Sequence, residues 1–188
     1  AAIMAGMDRW GDLTATDADF AARARARFES ARHHILSTLR RDGSPRGSGT
    51  EIQFFGDDLM IGMMPGSVKA LDLRRDGRYA LHAHPGDGSM EGGDAKVSGV
   101  AVEVDDPDVI DAYRRHIVEV MRERGDAPPA DETTQDDDDE RDEDDGFEFG
   151  LFRLHLRDVV VTSIHPEGDR LRIEIWRPGC AVEVVERT

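Results

Sequence analysis

Residues 58–75, DLMIGMMPGSVKALDLRR, decide how this chain is read. Leu59 to Met64 form a short apolar strand with no polar side chain on either face. A strand of that kind must be covered on both sides, by its own core or by a partner. Pro65-Gly66 turns the backbone, and Ser67 follows as an N-cap for a helix carrying Val68, Ala70, Leu71 and Leu73. Lys69 falls in the first turn of that helix, where the macrodipole disfavours a cation. An anion at the helix start reverses this, because free N–H groups, the Ser67 hydroxyl and Lys69 converge on it. A plain strand-to-helix turn with Lys69 in water fits the same residues.

Working outward, Thr16-Asp-Ala-Asp19 resembles a capping box and predicts a helix over 17–32 with Phe20, Ala24, Phe28 and Ala31 inward. Strands are predicted at 35–39 and 46–55, joined through the Asp42-Gly43 turn, then at 78–84 and 95–104. Asp106-Pro107 opens a helix with the stripe Ile110, Tyr113, Ile117 and Met121, ending near Gly125. Residues 126–146 are low-complexity and acidic, which predicts a disordered loop. Strands resume at 149–156, 159–165, 171–176 and 182–185. The sum is one mainly β domain over 1–188: an antiparallel barrel with peripheral helices.

The net charge of the 188 residues is −16, yet residues 131–145 alone hold eleven Asp or Glu against one Arg. This acidity argues against nucleic acid and against anionic membrane surfaces as partners. One cysteine, Cys180, permits no intrachain disulfide, and no stretch has the length of a membrane span; both fit a cytoplasmic protein. Lysine occurs only at Lys69 and Lys96 in an arginine-rich chain.

Strand periodicity puts Arg46, Ser48 and Thr50 on the face that also carries Ile52 and Phe54. It likewise puts Lys96 and Ser98 on the face of Val100, Val102 and Val104, which reads as a core face turning polar at one end. Polar groups there need partners, and a polar ligand at the barrel mouth would supply them. Ends that simply emerge into water fit equally well.

This order of elements resembles the pyridoxamine 5′-phosphate oxidase-like split β-barrel family, on the Asp42-Gly43 hairpin, the Arg46 strand, the apolar strand, the Ser67-x-Lys69 turn and Lys96-x-x-Gly99. The resemblance covers residues 31–104 and 149–179, including Trp176-Arg177-Pro178. It implies a homodimer binding FMN, or the related deazaflavin coenzyme F-420, at the subunit interface. The two-sided apolar strand is what a dimer of barrels would bury. Ser67 and Lys69 match the family's phosphate-binding stretch, and Arg46, Ser48 and Thr50 match the strand beside the flavin ring. Lys96 matches a basic position near the ring or phosphate, and Trp176 and Arg177 match the region reaching across the dimer.

The chain departs from the oxidases proper at Val68, where they carry a second cation, and at Met63-Met64, where a Thr-Asn pair meets the cofactor. Arg177-Pro-Gly replaces their Arg-Leu signature for the substrate phosphate. The implied activity is therefore hydride transfer with a small-molecule substrate other than pyridoxamine phosphate. The alternatives are a deazaflavin-dependent reductase, with Arg74-Arg75 beside its anionic tail, and a non-catalytic flavin- or haem-binding protein. Haem would require His33, His34, His82 and His84 to gather. His82 and His84 share a strand face, but no third metal ligand is evident near them.

Overall fold

The computed structural model describes residues 6–85, 90, 92–126 and 149–188. The acidic stretch read as a loop therefore lies, apart from Asp126, outside the described residues. Two helices open the chain, α1 (Trp10–Thr16) and α2 (Ala18–Glu29). Asp17 caps α2 by accepting from the Phe20 N–H, and Phe20, Ala21, Ala24 and Phe28 form its buried face. The strands β1 (His34–Leu39), β2 (Pro45–Thr50), β3 (Gln53–Phe55) and β4 (Asp58–Met63) follow. Next come α3 (Val68–Arg75), β5 (Arg78–His82), β6 (Asp94–Glu103) and α4 (Pro107–Arg124). The long β7 (Gly150–Ile164), β8 (Leu171–Trp176) and β9 (Glu183–Arg187) complete the sheet.

Every ladder is antiparallel. The strands run β2-β1-β5-β6-β7-β4-β3, with β8 and β9 continuing from the far half of β7. The two ends of that path, β2 and β3, are consecutive in the chain and separated only by Glu51 and Ile52. A two-residue link between the edges forces the sheet to curl, although no ladder closes it. This is a split barrel with peripheral helices, as the sequence predicts.

The segments 149–156 and 159–165 are one strand, not two. Its inward residues switch from Phe152, Leu154 and Leu156 to Val159 and Val161, a change of parity that one extra residue produces. The extra residue is Arg157: Leu156 pairs with Gly99 and Asp158 with Ser98, so the register slips there. At this β-bulge the backbones come very close, and a Cβ on Gly99 would lie 1.8 Å from the His155 carbonyl oxygen.

The apolar strand β4 is covered on both faces by its own chain. Leu59, Ile61 and Met63 enter the main core. Met60 enters a second cluster with Val104, Tyr113 and Leu151, roofed by Ile110 and Ile117 of α4. The expectation that a partner subunit would cover this strand is thus corrected, because α4 occupies that side.

Gly99→Ala should lower stability in urea unfolding by about 3 kcal/mol, the upper end of overpacking costs. Gly49→Ala, whose added Cβ would meet nothing within 4 Å, should be neutral or slightly stabilising. Equal effects of the two changes would contradict the bulge.

Candidate functional site

Local chemistry fixes the start of α3. Ser67 is extended at φ −64° and ψ 145°, its N–H donates to the Met64 carbonyl at 3.0 Å, and its hydroxyl oxygen accepts from the Ala70 N–H at 3.4 Å. The predicted N-cap is formed. Two residues on, the half-buried Lys69 ammonium donates to the Gly49 carbonyl at 2.8 Å, and desolvation lowers its pKa. Among the described residues no carboxylate pairs with Lys69. A desolvated cation without a counter-charge beside a helix N-terminus is suited to an anion.

The buried face of α3 is held by a carboxylate that sequence reading missed. Asp72, 2% exposed, accepts from the Thr38 hydroxyl at 3.0 Å, from Arg46 Nε at 2.7 Å and from Arg75 at 2.8 Å. Burial alone would raise this carboxyl, but the bonds from Arg46, Arg75 and Thr38 prevail and bring it down to about 2. Helical spacing gave no signal for it: Asp72 lies about 200° around α3 from the buried Ala70, although Ala70, Asp72 and Leu73 are all buried.

The predicted site residues separate into three places. Arg46, Ser48 and Thr50 do share a face of β2, but it is the inner one, opposite Thr38, Leu36 and His34 of β1. Arg46 is engaged by Asp72, and the buried Thr50 hydroxyl donates to the Glu51 carbonyl at 3.3 Å. Met63, 6% exposed, belongs to the main core. Trp176 is 0% exposed in that same core, so it does not reach towards another subunit as expected. Its partner across the ladder is the inward Val159, which fixes the side it faces. Ser67 and Lys69 stand at the rim, beside the edge strand.

Lys96 lies on the outside. The face of β6 that carries Lys96, Ser98, Val100 and Val102 was expected to be the core face. Ala95, Val97 and Ala101 are the residues that enter the core, which places the lysine face outward. Ladder pairings connect it to a continuous outer row: Gly49 to Ile35, Ile35 to His82, His82 to Lys96, and Lys96 to Val160. At about 4.8 Å per strand, Gly49 and Lys96 are roughly 14 Å apart. Lys69, bonded to the Gly49 carbonyl, and Lys96 therefore stand three strand spacings apart along one row. Gly47 and Gly49 contribute no side chains to this surface, and Ile35 in the row is 49% exposed. The Gly47-Ser48-Gly49 alternation is the signal for such a bare strip, and sequence reading passed over it.

Burial, and then the charges of His84 and His33, lower the pKa of His34, so three of the four histidines lie within electrostatic reach of one another. His33 faces water beside Glu51, His34 is buried against Phe28, and His82 contacts Asp94 at 3.1 Å. One cluster with metal-ligand spacing, His165, Glu167 and Asp169, occurs among the described residues. Arg170 already sits against both of its acids, at 2.9 Å and 2.8 Å. No helix among the described residues is long and apolar enough to cross a membrane.

No protein-family model matches this chain, and no curated protein matches it. Solved structures do. A pyridoxamine 5′-phosphate oxidase-related, FMN-binding protein from Nostoc punctiforme is 15% identical over 89% of this chain and 94% of its own, with a TM-score of 0.56. PhzG from Burkholderia lata, solved with tetrahydrophenazine-1-carboxylic acid, is 15% identical over 94% of this chain and 91% of its own, with a TM-score of 0.55. A heme binding protein from Mycobacterium smegmatis is 16% identical with a TM-score of 0.50, and this chain spans 57% of it. At these identities the likeness establishes the fold: the split β-barrel of the pyridoxamine 5′-phosphate oxidase-like proteins.

Asp72→Asn should destabilise the protein by about 3 kcal/mol near neutral pH, since it leaves two arginines without their buried partner. A depressed carboxyl contributes stability that is complete above its unfolded value of 3.8 and is lost as pH falls towards 2. Wild-type stability should therefore drop across that window more steeply than that of Asp72→Asn, as thermal melts at stepped pH would show.

Proposed function

We propose that this chain is an FMN-binding oxidoreductase that transfers hydride to or from a small molecule, acting as a homodimer. The observation that carries this reading is the pair of lysines three strand spacings apart along the outer row, one of them at a formed helix N-cap. The residues fit the cofactor. Ser67, the α3 amides and Lys69 would hold its phosphate, and the strip left bare by Gly47 and Gly49 would admit a flat ring. Lys96 would face the negative charge of a reduced ring. The flavin supplies the hydride chemistry when bound, and the protein's contribution is orientation, exclusion of water and a local positive potential.

A second copy completes the surface in this reading. The outer face runs on from Ile35 through His82, Lys96 and the buried Val160 to Ile175, Ile173 and Leu171 of β8, with Ile35 and Leu171 exposed at 49% and 37%. Joining two such faces would shelter the ring. FMN is preferred over the deazaflavin coenzyme because Arg74 and Arg75 already have partners. Arg74 bonds Glu103 and the Pro65 carbonyl, and Arg75 bonds Asp72 and the Leu39 carbonyl. Neither is left to hold a long anionic tail.

Titration of FMN into the purified protein, followed by flavin absorbance, should give saturable binding at one flavin per chain. Lys69→Ala should weaken it at least tenfold while leaving the thermal melt within about 1 kcal/mol of wild type. Undiminished affinity in Lys69→Ala would overturn the phosphate assignment. Ile35→Asp should shift the sedimentation coefficient from dimer to monomer; a monomeric wild type would remove the shared interface.

A further inference from the structure

The outer row that carries Lys96 also carries an imidazole. His82 pairs with Ile35 on one side and with Lys96 on the other, so its side chain stands between theirs. Both of its ring nitrogens are engaged. Nδ1 lies 2.8 Å from the Ala83 carbonyl oxygen, and Nε2 lies 3.1 Å from Asp94 Oδ2. A carbonyl and a carboxylate only accept hydrogen bonds. A neutral imidazole has one N–H and one lone pair, so it satisfies one of these contacts and turns its lone pair on the oxygen of the other. A ring with a proton on each nitrogen satisfies both, and its bond to Asp94 is charge-assisted.

Asp94 depends on this contact. Its Oδ2 meets His82, while its Oδ1 is buried with no hydrogen-bond partner among the described residues. The pair also has a direction. Asp94 is the ladder partner of Thr162, two residues along both strands from the Lys96–Val160 pair. The carboxylate therefore stands about 7 Å off the row, whereas the imidazole stands in it. A flat ring lying along the row meets the positive end of the pair. The other groups around His82 do not compete for it: β1 presents Ile35, and His33 of the preceding turn lies beside Glu51.

We infer that His82, held with a proton on each nitrogen by Asp94 and the Ala83 carbonyl, is a second cation beside Lys96 for the reduced flavin ring. The inference rests on the reading of the outer row as the flavin site. Cations on adjacent strands, about 4.8 Å apart, concentrate positive potential on one spot. The ring gains its negative charge there only on reduction, so the reduced form is stabilised more than the oxidised one. Asp94 offsets the repulsion between the two cations while no flavin is bound. His82 carries neither the hydride nor a proton in this role; it sets the potential at which the ring accepts electrons.

The test is the reduction potential of FMN bound to the full chain, read by equilibrium reduction against a reference dye, with FMN affinity and the thermal melt measured alongside. His82→Gln keeps a donor for Asp94 and carries no charge. It should weaken the reduced flavin about tenfold relative to the oxidised one, a fall of about 30 mV for a two-electron couple, with the melt unchanged. His82→Arg, which restores the charge on a different shape, should recover at least half of that fall. Asp94→Asn should lower the potential by less than His82→Gln, because cation and carboxylate are lost together. An unchanged potential in His82→Gln would overturn the inference and leave the flavin site standing. A fall that His82→Arg does not recover would assign the effect to shape and overturn it too, as would a rise in Asp94→Asn. Wild-type protein that binds no FMN would overturn the reading of the row, and this inference with it.

Discussion

The buried carboxylate of Asp72 is the interaction on which the candidate site depends. It joins α3 to β1 through Thr38 and to the edge strand β2 through Arg46, and it holds Arg75 on its own helix. An edge strand has one neighbour to fix it, here β1, and the Asp72–Arg46 pair adds a tie from α3 to the inner face of β2. The clamp also fixes where the helix begins. Ser67 is delivered to the rim of the barrel, and Lys69 is laid along β2 with its ammonium on the Gly49 carbonyl. Breaking the clamp would free the helix and the candidate anion site at its start together.

A second constraint concerns sides. One curled sheet has an inside that must be filled and an outside that is open wherever no helix lies over it. Four helices share the covering: α1, α2 and α3 contribute to the main core, and α4 roofs the outer face of β4 through Tyr113. The outer face of β2, β1, β5 and β6 remains, and on it lie the glycine strip, Ile35 and Lys96. The proposed cofactor site is there because packing has used the other faces, and a cofactor between two copies would cover what the chain itself leaves open. Arg23 and Glu174, bonded at 2.6 Å and 2.9 Å, tie α2 to β8. This contact keeps the helices on their own side of the sheet.

Much of the fold was legible in the sequence, for reasons that can be named. Alternation in β8, the Asp-Pro start and glycine stop of α4, and the Ser67 cap are local signals, and local physics decided them. The element order was enough to suggest the split barrel. What failed depended on which side of the sheet was inside, and periodicity cannot supply that. Val100 and Val102 look like core residues because valine usually is, yet Ala95, Val97 and Ala101 are the β6 residues that enter the main core. Arg46, Ser48 and Thr50 were correctly grouped, but this inward polar set was read as awaiting a ligand when Arg46 already had Asp72 and Thr50 the Glu51 carbonyl. Trp176 looked like a reaching aromatic and proved to be a core residue. The bulge at Arg157 divided one strand into two apparent ones, since a parity change in the inward residues mimics a strand end.

The central claim is that a flavin lies along the outer row with its phosphate at Ser67 and Lys69. A crystal structure of the protein grown with FMN tests it most directly. The account predicts phosphate oxygens within hydrogen-bond distance of the Ser67 hydroxyl and the Lys69 ammonium, and the ring beside Gly47 and Gly49 under a second copy of the chain. Flavin bound elsewhere, such as between α4 and the sheet, would contradict it.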